Sequence, residues 1–345
     1  MKSCVLVEPN RLEIQEKPGP APGPGEVLVR VRAVGICGSD THYFAGWRDH
    51  EPSTVYPFVL GHEFAGEVAE TGPGVDSVVE GARVMCSPDR PCGRCEWCAS
   101  GLENVCPNVQ FAGSAGVEGC LSQYYVVNVS QLHQLPDSVG FAEATLCEPL
   151  AIGLHIIDNL VQPCAGESCA VIGAGPIGLV STFCARLRGM GDVFASDRVK
   201  ARAKAASRYG ANETCEVEGD RDFEHFIAGR TGGRGVDVVI EAGGEASSIA
   251  QAALLARVHG RVVIEGIPPG GEAPLCADAA RRKELTVIFG RRSLRKTREA
   301  LDLVEAGTFD ARGLITHEFP LQEAQSAFEC TRDYRDGVIK AVIRL

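Results

Sequence analysis

Three residues with metal-binding side chains stand within short motifs at separate places along the chain. Cys37 lies in GICGSD at residues 35–40, His62 in GHE at 61–63, and Glu148 in CEPL at 147–150. A thiolate, an imidazole and a carboxylate can hold one zinc ion and leave a coordination position open, as catalytic zinc requires. None of the three is informative alone, but the motifs that accompany them favour a zinc-centred active site.

Four further cysteines form a compact cluster: Cys92, Cys95, Cys98 and Cys106. Short Cys-x2-Cys spacings let successive sulfurs turn towards one ion, and a fourth thiolate closes the tetrahedron, so the cluster predicts a structural zinc. An iron–sulfur cluster also uses four thiolates, and spacing alone does not separate the two, although nothing nearby suggests electron transfer. A disulfide pair fits poorly with the cytoplasmic location expected below.

A glycine-rich segment, GAGPIG, occupies residues 173–178, directly after a predicted strand and before a predicted helix. In this context Gly173 makes the sharp turn, Gly175 lets the backbone approach a pyrophosphate, and Gly178 lets the helix pack on the strand. Pro176 and Ile177 begin the helix, whose N-terminus would face the phosphates. The segment therefore predicts a dinucleotide site.

An acidic residue, Asp197, follows this motif at about the 20-residue distance expected for a ribose-binding carboxylate. A carboxylate there repels a 2'-phosphate, so NAD is favoured over NADP. Arg198 stands next to it and would soften that preference. The alternative is that Asp197 only caps a helix beginning at Val199.

Composition excludes several other classes of protein. The formal net charge of -11 argues against a nucleic-acid partner. No apolar run approaches the roughly 20 residues of a membrane span, and the first residues do not form a signal peptide, so we expect a cytoplasmic protein without membrane contact. Most of the cysteines outside the sites above lie among apolar neighbours, which indicates core packing.

Two patterns of secondary structure divide the chain. The first part alternates in strand fashion with Gly/Pro punctuation, and an apolar helical run from Phe141, interrupted at Pro149, ends it. From Ser168 six short apolar runs alternate with helical stretches, which predicts an α/β parallel sheet covered on both faces. We therefore expect a mostly β catalytic domain at 1–150, completed by 291–345, and a doubly wound nucleotide-binding domain at 151–290.

The order of these motifs resembles that of the zinc-dependent medium-chain dehydrogenase/reductase superfamily over essentially the whole chain. Within it, CGSDTHY at 37–43, LGHE at 60–63 and EPLAIGLH at 148–155 look most like the polyol branch, the sorbitol and xylitol dehydrogenases. Alcohol dehydrogenases of the superfamily carry a second cysteine where this chain has Glu148. A Cys2His set using Cys147 stays open, but the adjacent Pro-Leu favours Glu148.

The resemblance implies a GroES-like catalytic domain, a Rossmann domain and a division of chemical roles. Cys37 and His62 are then zinc ligands, and Glu63 and Glu148 complete the shell directly, through a water or in alternation. Ser39 takes the proton of the alcohol, His42 passes it towards solvent, and Asp40 orients a zinc-binding imidazole. Zinc acts as a Lewis acid, and the carbon of the alcohol gives hydride to the nicotinamide.

Contacts with substrate and cofactor are likewise implied by the resemblance. Tyr43, Phe111 and one of Arg291 or Arg292 would face the substrate. The cofactor contacts beyond the glycine motif and Asp197 would be Arg198, Arg202, Ala242, Gly266 and Ile267. Some of these residues have a structural alternative. Tyr43 and Phe111 could be core aromatics, Arg291 and Arg292 part of a charge run on a solvated helix face, and His42 an ordinary hydrogen-bonded histidine.

The expected function is oxidation of a secondary alcohol of a polyol or sugar-like substrate with NAD, in a homo-tetramer with a catalytic and a structural zinc in each chain. L-threonine dehydrogenase is the nearest alternative within enzymes. A non-catalytic NAD(H)-binding relative is the alternative of another class, although Ser39 and the zinc ligands are all kept. The charged loop Arg48, Asp49, His50 and Glu51 departs from the polyol pattern, so cyclitols, amino-cyclitols and sugar acids remain open as substrates.

Overall fold

The computed structural model describes residues 1–48, 54–219 and 221–345, so Asp49, His50 and Glu51 of the charged loop lie outside the described residues. The chain divides into two compact units. The first comprises residues 1–148 and 297–345, and the second comprises residues 149–296.

The first unit is built mainly from antiparallel strands with short helices between them. Its N-terminal part contains β1 (Lys2–Glu8), β2 (Arg11–Glu16), β3 (Glu26–Gly35), β4 (Phe58–Val59), β5 (Glu63–Thr71), β6 (Arg83–Cys86), β7 (Asp89–Arg90), β8 (Gln110–Phe111), β9 (Tyr124–Asn128), β10 (Leu132–Gln134), α1 (Gly38–Phe44), α2 (Glu96–Ala99) and α3 (Phe141–Ala144). The apolar residues of β3 and β5, such as Val29, Val31 and Phe64, are buried in one core cluster.

The second unit alternates strands and helices in the order predicted. It contains α4 (Cys147–His155, which begins two residues before the unit), β11 (Cys169–Ile172), α5 (Pro176–Leu187), β12 (Val193–Asp197), α6 (Lys200–Arg208), β13 (Glu213–Glu216), α7 (Asp222–Thr231), β14 (Val236–Glu241), α8 (Ala246–Leu255), β15 (Ala256–Ile264), α9 (Ala277–Lys283) and β16 (Thr286–Phe289). Within the described residues the strands form one parallel sheet in the order β13-β12-β11-β14-β15-β16. The central strands β11 and β14 are buried along their whole length because helices cover both faces. The predicted doubly wound fold is confirmed.

The chain then returns to the first unit. This segment contains α10 (Thr297–Glu305), α11 (Ala311–Leu314), β17 (Ile315–Pro320), α12 (Ala324–Arg332) and β18 (Lys340–Arg344). The main sheet of the unit has the order β10-β6-β5-β3-β18-β17, with β9 also paired to β3. Gly35, at the end of β3, therefore lies between Glu63 of β5 and Val342 of β18. This register brings the start of β5 and the start of β18 to the same end of β3.

The apolar run after Phe141 differs from the sequence-based expectation in two ways. The helix is interrupted at residues 145–146 rather than at Pro149, which lies in the first turn of α4, where a missing N–H breaks no intrahelical hydrogen bond. The helical stretch Phe141–Val161 is also long and apolar enough to cross a membrane, although no such run was expected. Of its most apolar 18-residue window, 78% is buried inside the protein, as in a core helix of a globular protein.

Candidate catalytic zinc site and dinucleotide site

Three of the predicted zinc ligands converge in the first unit. One ligand atom each from Cys37, His62 and Glu63 lies within 4.8 Å of the others. Cys37 follows the end of β3, and His62 and Glu63 stand at the start of β5, so the pairing of Gly35 with Glu63 across these strands brings the three together. A thiolate, an imidazole and a carboxylate at this separation suit a single zinc ion.

Asp40 holds this group in place from the first turn of α1. One of its carboxylate oxygens accepts a hydrogen bond from the backbone N–H of Cys37 at 3.0 Å, and the other accepts one from Gly61 at 3.2 Å. The latter oxygen also lies 3.3 Å from Nδ1 of His62. Burial opposes a charged imidazole, but Asp40 and Cys37 raise the pKa of His62 well above its usual value. Asp40 therefore engages Nδ1 and leaves Nε2 of His62 for the metal.

Glu148 lies in the same buried region and interacts electrostatically with His62 and Glu63. Burial raises the pKa of Glu148 to about 7, and His62 and Glu63 act on it in opposite directions. Its Oε2 has no hydrogen-bond partner among the described residues. A buried carboxylate oxygen without a partner is costly unless a cation or water meets it, so the donor set fits a bound zinc ion. Cys147 is fully buried and is not part of the converging group.

A buried lysine, which the sequence did not single out, completes the surroundings of Glu63. Nζ of Lys340, at the start of β18, forms an ion pair with Oε2 of Glu63, and both side chains are 1% exposed. The pair occupies the space beside Gly35, where an added Cβ would lie 3.0 Å from Cε of Lys340 and 3.3 Å from Oγ1 of Thr145. The signal in the sequence was a lone lysine inside an apolar strand, since residues 338–343 read VIKAVI.

The predicted proton-transfer and substrate residues of the first unit lie on α1 and at the end of β8. Ser39 and His42 are both half-buried on α1, and the ring of His42 lies 5.2 Å from that of Trp47. Tyr43 is buried, and its hydroxyl accepts a hydrogen bond from the backbone N–H of Ala115 at 3.2 Å. The ring of Phe111 lies 5.0 Å from that of His62, next to the converging ligands.

The four-cysteine cluster forms a second candidate metal site, also in the first unit. Its sulfurs all lie within 4.8 Å of one another. All four cysteines are free, and hydrogen bonds from the backbone N–H groups of Arg94 and Cys95 lower the pKa of Cys92 to about 6. A thiol that is readily ionised is a good metal ligand. The arrangement fits a closed tetrahedral zinc site with no position left for substrate.

The glycine motif of the second unit has the geometry that a dinucleotide requires. Gly173 has a φ of +89°, and an added Cβ would lie 2.8 Å from the backbone nitrogen of Gly243. An added Cβ at Gly178 would collide with the carbonyl oxygen of Gly173, so only glycine allows α5 to start this close to β11. Gly175 caps α5, and Pro176 is its first residue, with Ile177 following. The N-terminus of α5 is thus left open to an anionic group.

Asp197 ends β12 beside this motif, and both of its carboxylate oxygens are engaged by backbone. One accepts a hydrogen bond from the N–H of Ala174 at 2.8 Å and the other from the N–H of Val199 at 2.7 Å. The carboxylate therefore stabilises both the glycine turn and the start of α6, and ribose binding by Asp197 stays a prediction. Arg198 donates to Glu245 at 2.8 Å.

The remaining predicted residues of the second unit lie on or near the ends of its strands. Arg202 is buried on α6, with Nη1 3.7 Å from the place of a Cβ at Gly175. Ala242 follows β14, and Gly266 and the exposed Ile267 follow β15. Arg291 is exposed, and Arg292 is half-buried with a positive φ of 55°. Both arginines belong to the second unit, whereas the predicted zinc ligands belong to the first.

Sequence reasoning also missed Glu241 at the end of β14. It is fully buried, and one of its oxygens accepts hydrogen bonds from the N–H groups of Gly243 and Gly244, each at 2.8 Å. Burial raises the pKa of Glu241, against the effect of these hydrogen bonds. The residue thus orders the turn that follows Ala242.

Comparison with known proteins identifies the family of the chain. The family model for the alcohol dehydrogenase GroES-like domain matches residues 23–137, and that for zinc-binding dehydrogenases matches residues 176–306. Sorbitol dehydrogenase of Bacillus subtilis is 33% identical over 99% of this chain and 97% of its own, and L-threonine 3-dehydrogenase of Bacillus licheniformis is 33% identical over 91% and 90%. A Sinorhizobium meliloti protein assigned as a zinc-binding dehydrogenase and crystallised with NADP has a TM-score of 0.89 at 33% identity, covering 100% of this chain and 99% of its own.

Fold and site thus define a two-unit zinc-binding dehydrogenase with a GroES-like part and a Rossmann part. The chain belongs to the zinc-dependent medium-chain dehydrogenase/reductase superfamily, in its polyol dehydrogenase-like branch. It is an oxidoreductase of the zinc-dependent alcohol dehydrogenase type that uses a nicotinamide cofactor.

Proposed function

We propose that the protein oxidises a secondary alcohol of a polyol or related sugar-like molecule and transfers the hydride to NAD. The observation that carries this proposal is the convergence of Cys37, His62 and Glu63 within 4.8 Å, oriented by the buried Asp40. Relatives that match nearly the whole chain and are named sorbitol dehydrogenase supply the substrate class.

The chain's own residues divide the work as follows. Zinc, when bound, supplies a Lewis acid that makes loss of the alcohol proton feasible near neutral pH. Cys37, His62 and Glu63 would hold the metal, with Glu148 beside them. Ser39 accepts the proton, and His42, three residues further on the same face of α1, passes it outward.

Phe111 and Tyr43 border the substrate in this proposal. The ring of Phe111 stands against His62, and Tyr43 is fixed by the backbone of Ala115. One of Arg291 and Arg292 would face the substrate.

Preference for NAD over NADP rests on the carboxylate of Asp197. It is held in place by two backbone N–H groups and would accept hydrogen bonds from the ribose hydroxyls while repelling a 2'-phosphate. The guanidinium of Arg198, which could offset this charge, donates a hydrogen bond to Glu245. Arg202, Ala242, Gly266 and Ile267 complete the proposed cofactor site.

The composition of the assembly is also part of the proposal. Each chain would carry a catalytic zinc at Cys37, His62 and Glu63 and a structural zinc at Cys92, Cys95, Cys98 and Cys106, and the enzyme would be a cytoplasmic homo-tetramer. Equilibrium sedimentation of the purified protein tests the tetramer, and metal analysis tests the two zinc ions per chain.

A substrate screen tests the activity directly. Sorbitol, xylitol, galactitol, myo-inositol and L-threonine are each offered with NAD and with NADP, and NADH or NADPH formation is followed. We expect NAD-dependent oxidation of at least one polyol, lost in Ser39→Ala and kept in the control Ser77→Ala, whose serine is exposed elsewhere in the same unit. No turnover of any secondary alcohol would refute the proposal.

L-threonine is the second candidate substrate, because the threonine dehydrogenase relative is as similar in identity as the sorbitol dehydrogenases. A higher kcat/KM for L-threonine than for every polyol would favour it. A non-catalytic NAD(H)-binding protein would instead bind the cofactor, hold zinc only at the four cysteines and oxidise none of the compounds.

A further inference from the structure

Lys340 is a buried cation placed against one of the proposed zinc ligands. It is 1% exposed, and its ammonium group pairs with Oε2 of Glu63, which is equally buried. The cross-strand register of β5, β3 and β18 at Gly35 creates the space for this pair. A lysine is very seldom fully buried without a partner, so the contact with Glu63 is the defining feature of its environment.

The charges around the site explain why a cation is kept there. Cys37, Glu63 and Glu148 can each carry a negative charge, and a doubly charged ion balances only two of them. Lys340 places its ammonium group against Oε2 of Glu63, on the buried side of the ligand set, and so offsets part of this negative charge.

The same contact limits how Glu63 can bind a metal. A carboxylate has two oxygens, and binding through both would fill two positions around zinc. Because Lys340 already holds Oε2, an ion bound through both oxygens of Glu63 would have to compete with this contact, which favours binding through Oε1 alone. An ion held by Cys37, His62 and a single oxygen of Glu63 keeps the fourth tetrahedral position available.

We propose that Lys340 is a positioning residue that restricts Glu63 to one metal-binding oxygen and thereby keeps a coordination position open for the substrate. The inference rests on the zinc site of the proposed function. Its distinctive consequence is that removing Lys340 strengthens zinc binding while weakening turnover, because Glu63 is freed to bind through both oxygens and a repelling charge is lost.

The test compares Lys340→Met, which removes the charge, with Lys340→Arg, which keeps it. The control is Lys17→Met, which removes a partly exposed lysine of the same unit. Zinc affinity of each full-length variant is measured by competition with a colorimetric chelator, and the cobalt-substituted proteins are compared by visible absorption. In Lys340→Met we expect catalytic-site zinc to bind about tenfold or more tightly. We also expect weaker cobalt d–d absorption, typical of a higher coordination number, and a lower kcat.

A second variant and thermal melts test whether Glu63 is the reason for the changed zinc affinity. In a Glu63→Gln background, Lys340→Met should change zinc affinity much less, since the second oxygen of residue 63 is then no longer a charged ligand. Thermal melts with and without zinc should show a larger stabilisation by zinc in Lys340→Met than in the wild type. Lys340→Arg and Lys17→Met should match the wild type in affinity and spectrum.

Two results would overturn the inference while leaving the proposed function standing. One is a wild-type protein that holds zinc at both sites together with a Lys340→Met variant that binds catalytic-site zinc more weakly or no differently. The other is an unchanged cobalt spectrum in that variant. A wild-type protein with zinc only at the four cysteines would refute the proposed function itself.

Discussion

A single added methyl group at Gly35 should disturb the proposed zinc site more than its size suggests. In Gly35→Ala the new Cβ would overlap Oε2 of Glu63, and it would lie 3.0 Å from Cε of Lys340 and 3.3 Å from Oγ1 of Thr145. All three side chains are buried to 1% exposure or less. Because none can move into solvent, the strand or the ion pair must shift.

The size of the effect follows from this crowding. Overpacking of a filled interior typically costs about 1–3 kcal/mol. Displacing Glu63 would add to this, because a buried ion pair that loses its geometry leaves its charges poorly compensated. We therefore expect Gly35→Ala to lower the free energy of unfolding by at least about 2 kcal/mol and to reduce kcat/KM.

Urea unfolding followed by circular dichroism measures this difference, with the midpoint and the slope reported for each variant. Gly38→Ala is the matched control. Gly38 is the first residue of α1, its Cβ would meet no atom within 4 Å, and alanine favours a helix. The control should be as stable as the wild type or slightly more so. Equal unfolding curves for Gly35→Ala and the wild type would refute the steric reasoning.

Three further predictions concern the cofactor, the four cysteines and the second unit. Asp197→Ser should lower the ratio of kcat/KM for NAD to that for NADP by about tenfold or more, because the charge that repels a 2'-phosphate is gone; an unchanged ratio in steady-state assays would contradict this. Cys98→Ser should lose one zinc per chain by elemental analysis and melt at a lower temperature, since three thiolates no longer close the tetrahedron; full zinc content would count against a structural site. Burial alone would raise the pKa of Asp237, but hydrogen bonds from Arg234, Arg257 and Ser168 hold it well below the usual range. Its contribution to stability is therefore present above the unfolded-state pKa of about 4 and is lost as the pH falls towards the folded-state value. Asp237→Asn should thus cost about 2 kcal/mol at pH 7, and its unfolding curve should approach that of the wild type below about pH 4; a difference independent of pH would contradict the assignment.

Features that depend on neighbours in the sequence were the most predictable. The turn after β11 needs glycine at Gly173 for its positive φ and at Gly178 for the close approach of α5, and both needs are local. The alternation of strands and helices likewise predicted the parallel sheet of the second unit, since each strand carries its own apolar signal. The position of Pro149 was misjudged because a proline in the first turn of a helix looks, in sequence, like one that breaks it.

Features that depend on the register between strands far apart in the chain could not be predicted from the sequence. Lys340 and Glu63 are separated by most of the chain, and their contact exists because β5 and β18 both pair with β3 at Gly35. The buried carboxylate of Glu241 is a similar case, since its partners are the Ser248 hydroxyl and backbone N–H groups of a turn whose conformation the sequence does not reveal. The two backbone hydrogen bonds of Asp197 also became evident only from the structure.

The central claim is that one zinc ion is bound by Cys37 and His62. Anomalous diffraction at the zinc absorption edge, from crystals of the purified protein, tests it most directly. We expect two anomalous peaks per chain. One should lie among the four cysteines, and the other about 2.3 Å from Sγ of Cys37 and about 2.0 Å from Nε2 of His62. A peak at the four cysteines with none at Cys37 and His62, in protein supplied with excess zinc, would contradict it.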